Sequence, residues 1–172
     1  MLPKDLCGPN QMLIDENYRD FLKNAHEKYP LLDKDFISQV CFEHPDRFNQ
    51  YFPYFDINVN KILRREVVGK YLVDELRYDN GEVINMWKDQ FDDFLNKNDY
   101  DYVIFKEMIN NKKWPFPPIV IQYENALKLG CGFYANQKLC LFEGTHRISY
   151  FLRMIELNMI DEKDAVEILE IL

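Results

Sequence analysis

Residues suited to stapling, metal binding or membrane insertion are scarce in this chain. Only three of its 172 residues are histidine and four are cysteine. Cys7, Cys41, Cys131 and Cys140 show no CxxC spacing, and two thiols with a distant histidine make a poor zinc set. Neither a disulfide framework nor a structural metal is expected; reduced thiols in a cytoplasmic protein are. No run approaches the roughly 18 apolar residues of a membrane span, and Met1-Leu2-Pro3-Lys4 opens no basic-then-apolar leader. A soluble protein without membrane contact is expected. Positive charge is short too: 21 Lys and Arg against 29 Asp and Glu leave a net charge of −8. Proteins that grip a nucleic-acid backbone present basic surface to displace counterions, so nucleic acid is disfavoured as a partner. Internal repeats, low-complexity tracts and flexible linkers are absent as well.

Apolar and aromatic side chains are plentiful. At 47% hydrophobic and 15% aromatic, the chain holds enough for one well-filled core and a small helical attachment. Residues 1–11 read as an irregular arm broken by Pro3, Gly8 and Pro9. Tyr18, Phe21, Leu22 and Ala25 predict a helix over 15–28 with Asp15 as its cap. Phe36, Ile37, Val40 and Cys41 predict another over 33–43, with Pro45 stopping it or opening the next turn. The run Phe48, Tyr51, Phe52, Tyr54 and Phe55 has two readings: rings packing the helical part, or a stacking platform for a base. A strand or strand-turn is expected over 59–68. The basic cluster within it, Lys61, Arg64 and Arg65, reads as a solvated edge or as phosphate ligands. Asn80-Gly81 marks a turn. Ile84, Trp87, Phe91, Phe94 and Leu95 line one face of an amphipathic helix over 83–96. Asp99 to Asp101 then cap a helix over 102–112, with Val103, Phe105, Met108 and Ile109 inward.

The most informative stretch is 115–153. Pro115, Pro117 and Pro118 force extended backbone and exclude helix, so 119–123 is expected to be a strand. A hairpin-like stretch, bending at Gly130 to Gly132 and resuming at Phe133-Tyr134, leads to a second strand over 138–142. That strand ends in Glu143-Gly144-Thr145-His146-Arg147 and runs into a helix expected from Thr145 to about Met159. A buried strand that opens a helix in this way has the makings of an anion site. Gly144 permits the tight turn, Thr145 can cap the helix, and the first-turn N–H groups point outward. His146 and Arg147 add donors that suit phosphate oxygens. Plainer readings stand beside these: Thr145 as a helix cap, His146 as a buttress of the turn, and Arg147 ion-paired with the strand-end carboxylate of Glu143. By period, residues 165–172 fit either a strand or a short helix.

This block resembles the ParB/sulfiredoxin superfamily, which includes ParB-like nucleases and free-serine kinases. The matching residues are Pro117-Pro118-Ile119-Val120-Ile121, then Leu141-Phe142-Glu143-Gly144-Thr145-His146-Arg147, then Ile148 to Leu157. The likeness is specific over about 115–157 and extends loosely over 57–172. It implies an α+β fold: a small mixed sheet with packed helices and a closing C-terminal strand over 57–172, preceded by a helical N-terminal extension over 1–56.

Departures from the family narrow the function. Sulfiredoxins place a nucleophilic cysteine where Thr145 stands, and a hydroxyl forms no thiolate, so sulfinic-acid repair is not expected. Chromosome-partitioning members carry an arginine-rich turn followed by helix-turn-helix domains, for which residues 158–172 leave little room. In the free-serine kinases the turn is an acid-Gly-His type, and Glu143 takes the acidic position. The resemblance therefore implies a nucleotide-binding enzyme, an ATP- or ADP-dependent phosphotransferase acting on a small hydroxyl-bearing molecule, with Mg²⁺ accompanying the nucleotide. Gly144, Thr145, His146 and Arg147 would hold phosphate. Glu143 and His146 would serve the chemistry, Glu143 as general base on the acceptor hydroxyl or as a Mg²⁺ ligand. The kinases' second carboxylate would fall on Glu66 or Glu75. Two alternatives stay open: a nuclease or nucleotide hydrolase of the same superfamily, which the acidic net charge disfavours, and a non-catalytic protein binding a partner through its acidic surface and aromatic N-terminal helices.

Overall fold

In a computed structural model of the chain, the described residues are 1–9, 18–77, 81–97, 101–131 and 138–172. Asp15, Asn80, Asp99, Gly132, Phe133 and Tyr134, to which roles were assigned above, lie outside them. A 3-10 turn, Lys4–Leu6, interrupts the N-terminal arm. Helix α1 (Tyr18–Lys28) follows. Helix α2 (Lys34–Phe36) starts where Asp33 accepts the Asp35 N–H at 2.8 Å, satisfying a first-turn donor. The expected helix over 33–43 does not continue as an α-helix: it widens into a π-helical turn, Ile37–Phe42, closed by the Glu43 N–H on the Ser38 carbonyl at 3.2 Å. All six residues of the turn are buried, so no solvent face has to be kept on one side of a 3.6-residue period. Pro45 opens α3 (Pro45–Tyr51) in the first turn, where its missing N–H has no intrahelical acceptor to lose.

The remaining elements are β1 (Ile62–Val68), α4 (Gly69–Glu75), β2 (Leu76–Arg77), α5 (Gly81–Lys97), α6 (Val103–Asn111), β3 (Ile119–Gln122), α7 (Tyr123–Lys128), β4 (Leu139–Glu143), α8 (Thr145–Glu156) and β5 (Ala165–Ile171). The fold is α+β, with a mixed sheet in the order β1-β5-β3-β4-β2. The C-terminal segment is thus a strand, not a helix. β2 runs parallel to β4, Leu76 opposite Leu139. At the start of helix α6 Tyr102 occupies the N-cap, and its side chain makes no cap hydrogen bond. Val103 is 61% exposed: it lies two residues, about 200°, from the buried Phe105 on a helix of 3.6 residues per turn. Among the described residues no helix is long and apolar enough to cross a membrane.

The chain divides into two compact units. The first comprises Met1–Arg64, Ile121–Asn136 and Leu169–Leu172; the second comprises Arg65–Val120 and Gln137–Ile168. In the first, the aromatic run resolves as core: Phe48 meets Phe52 and Phe55 at ring-centroid distances of 5.0 Å and Phe36 at 5.5 Å. Tyr54, by contrast, is exposed. Arg64 is held by Asp33 and Asp35 at 2.9 and 2.6 Å, so it serves an ion-pair network flanking α2. The hairpin-like stretch expected after β3 begins instead with α7. Its end explains why: the Gly130 N–H reaches the Leu127 carbonyl and the Cys131 N–H reaches Ala126, with Gly130 at φ 87°. This is the double hydrogen bond of a left-handed helix stop, which favours glycine. A Cβ on Gly130 would also lie 2.9 Å from Pro53 and Tyr54.

The second unit holds two apolar clusters. Leu72, Leu76, Val120, Leu139, Ile148 and Ile168 form one. Phe91, Phe105, Met108, Tyr150, Phe151 and Met154 form the other, where α5 and α6 meet α8. Arg153 clamps α8 to α5 through a two-pronged pair with Asp92, at 2.9 and 2.7 Å.

Candidate functional site

The strand-turn-helix corner forms because each residue satisfies a local requirement. The double proline ends in β3, β4 runs beside it, and Gly144 turns the chain at φ 108°. A Cβ on Gly144 would lie 2.8 Å from Cβ of Pro118 and 2.9 Å from Nη2 of Arg147. Glycine is therefore required twice, by conformation and by space. Gly144, not Thr145, is the N-cap residue of α8, and having no side chain it makes no cap hydrogen bond of its own. The expected Thr145 cap is corrected on geometry: the glycine has already completed the turn, so Thr145 is the first helical residue and its carbonyl accepts the Ser149 hydroxyl at 2.7 Å. The Thr145 and His146 N–H groups, lying in the first turn, have no intrahelical acceptor.

Glu143, Gly144 and Arg147 converge. One carboxylate oxygen of Glu143, Oε1, accepts the Gly144 N–H at 2.9 Å and lies 3.7 Å from Nη2 of Arg147. Arg147 is only 5% exposed, an unusual burial for a guanidinium. His146 turns the other way. The Tyr102 hydroxyl bonds its Nδ1 at 2.9 Å, Trp87 lies edge-on against the imidazole, and the Tyr150 ring is nearly parallel to it at 6.4 Å. Burial among these rings pushes the His146 pKa down to about 4, opposed by the nearby Glu143 charge and reinforced by Arg147. His146 is thus neutral at pH 7, and any contact it makes with an anion is a neutral hydrogen bond. Burial also raises the pKa of Tyr102.

The other sequence candidates sit elsewhere. Glu75 is paired with Lys138 at 3.0 Å and Glu66 is exposed on β1. Trp87, Tyr102 and Pro118, which shape the corner, were not singled out from the sequence as site residues. Tyr150 stands four residues after His146 on α8, a spacing that places both on one helix face and hints at the aromatic surroundings. A cavity of about 720 Å³ is walled by first-unit residues and includes none of the corner. Volume and chemistry therefore point to different places: the corner is where a carboxylate, a buried guanidinium and a helix N-terminus meet. No family model matches the chain, and no curated protein or solved structure matches it.

Proposed function

We propose that the Glu143–Arg147 corner binds the phosphate of a nucleotide, ATP or ADP, and that the protein is a phosphotransferase acting on a small hydroxyl-bearing molecule, of ParB/sulfiredoxin-like type. The observation that carries this reading is the nearly buried Arg147 guanidinium beside an N-terminus of α8 whose N-cap residue, Gly144, carries no side chain. A helix N-terminus favours negative charge, and a guanidinium fork matches two phosphate oxygens. Among the described residues no group of three or more His, Cys, Asp or Glu is placed to hold a metal. A nucleotide-borne Mg²⁺ is compatible with such a donor set, since it keeps several waters and is held chiefly by the nucleotide's phosphates. That ion would neutralise phosphate charge. In this reading Arg147 and the Thr145 and His146 N–H groups bind and orient the phosphate. Glu143 orients the acceptor hydroxyl and takes its proton on Oε1 or Oε2, and the aromatic wall around His146 excludes water.

A second reading has its own support: Glu143 already accepts the Gly144 N–H and faces Arg147, so the three groups can serve as a latch between strand and helix without any ligand. Calorimetric titration with ATP and ADP, each with and without Mg²⁺, separates the two. Arg147→Ala is expected to weaken nucleotide binding by roughly 1.5–3 kcal/mol, as for loss of a hydrogen bond to a charged group. Glu143→Gln is expected to spare binding and abolish turnover. Equal loss of affinity in both variants, or no binding by the wild-type chain at millimolar nucleotide, rejects the phosphotransferase in favour of the latch.

A further inference from the structure

In the first unit, the turn after α1 and the segment leading into β1 enclose the cavity of about 720 Å³, within the roughly 300–1,000 Å³ of small-molecule sites. Its walls include Leu32, Ile57, Ile62, Leu63 and Leu172. Apolar side chains also lie open beside it: Leu31 is 97% exposed and Val59 is 72% exposed. Such a concentration of exposed apolar surface marks a binding surface more often than chance.

The polar side chains of the lining are, with one exception, already engaged by the protein. Lys28 is ion-paired with Asp5, and the Tyr29 hydroxyl donates to the same carboxylate. Asn58 donates both its backbone N–H and its side-chain amide to Asp56. Asn60 accepts the Asp56 N–H and donates to the Leu172 carbonyl. The exception is Lys61. Its backbone is anchored to Leu172 in both directions, N–H to carbonyl and carbonyl to N–H. Its side chain is exposed, and no carboxylate among the described residues pairs with its ammonium. Among the side chains of the lining, an incoming molecule therefore meets an apolar wall and one lysine that no described carboxylate side chain pairs, held at a fixed point of the backbone.

We propose that this cavity binds a small amphipathic anion: an apolar body against Leu32, Ile57 and Leu63, with a carboxylate-type head at the Lys61 ammonium. The site shares no residue with the Glu143–Arg147 corner, so it stands whether or not that corner binds nucleotide. Charge complementarity selects this occupant over a neutral or cationic one, since Lys61 is the one polar side chain of the lining that no other described side chain engages.

Isothermal titration calorimetry of the full chain with decanoate below its micelle concentration tests the proposal, with decyltrimethylammonium as the probe of opposite charge and equal chain length. Saturable decanoate binding is expected, weakened by about tenfold or more in Lys61→Glu and largely retained in Lys61→Arg. Leu63→Glu, a change at a 45% exposed position, is expected to abolish it. Circular dichroism on each variant keeps the comparison among folded proteins. Absence of saturable decanoate binding by the wild-type chain, equal affinity for the two probes, or binding indifferent to Lys61→Glu and Leu63→Glu would overturn it.

Discussion

Two aromatic clusters, one in each unit, put the same kind of side chain to different uses. Phe36, Phe48, Phe52 and Phe55 are at most 1% exposed and pack ring on ring, and none of them titrates. Trp87, Tyr102 and Tyr150 instead surround an imidazole. Around a phenyl ring, dry packing contributes only stability, about 1.5–3 kcal/mol per buried side chain. Around His146 it also removes water from a group that needs water to hold charge, and part of its effect appears as a depressed pKa. The first cluster is a core and nothing else; the second is a core that sets the chemical state of a neighbour.

The largest expected effect tests the first half of that contrast. Phe48→Ala should destabilise by about 3–5 kcal/mol, as for other buried aromatic truncations, because the Phe48 ring packs against those of Phe36, Phe52 and Phe55. Trp87 is only partly buried, so Trp87→Ala should cost less, about 1–2 kcal/mol. Urea denaturation with an unchanged slope measures both. Equal losses would mean that Trp87 is a core residue like Phe48 and would break the distinction.

A smaller effect distinguishes the glycines. Gly144→Ala should cost about 1–3 kcal/mol, since it forces a side chain into left-handed backbone and against Pro118 and Arg147. Gly81→Ala, at a helix start where a Cβ meets nothing within 4 Å, should be neutral or stabilising by a few tenths to about 1 kcal/mol. Thermal denaturation of the pair reads the difference. Equal behaviour would show that the corner is not held by the close approach of Pro118.

The strand-turn-helix corner was legible because prolines, an apolar strand and Glu143-Gly144 all constrain the backbone within a few residues of one another. The dispositions of Arg64 and His146 were not. Arg64 finds Asp33 and Asp35 some 30 residues away, and His146 finds Tyr102 at a separation of 44 residues. Contacts of that range depend on how elements pack, which neither period nor propensity encodes. Helix α7 was missed for another reason: six residues are too few for a helical period to show, and Gly130, read as a bend, is its stop signal. The π-helical turn escaped because a wholly buried segment carries no alternation to read. The Thr145 cap failed by one position, since Gly144 leaves the helix to begin at Thr145 itself.

The last expected effect is absent at pH 7 and grows as pH falls. His146 has its pKa lowered from 6.5 to about 4 by burial, so the folded state resists protonation that the unfolded state accepts. Between about pH 6.5 and 4 the unfolded chain then binds more protons than the folded one, and stability falls as pH falls through this window, levelling below it. At pH 7 the histidine is neutral in both states and the penalty is absent. His146→Gln should remove this component and flatten the stability curve between pH 6.5 and 4, leaving the carboxylate contributions at lower pH. Trp87→Ala should shift the imidazole back toward 6.5 by admitting water, which nitrogen-15 chemical shifts of the ring follow directly. If His146 titrates near 6.5 in the folded wild-type chain, the rings around it leave it solvated, and the two clusters differ in composition but not in what they do.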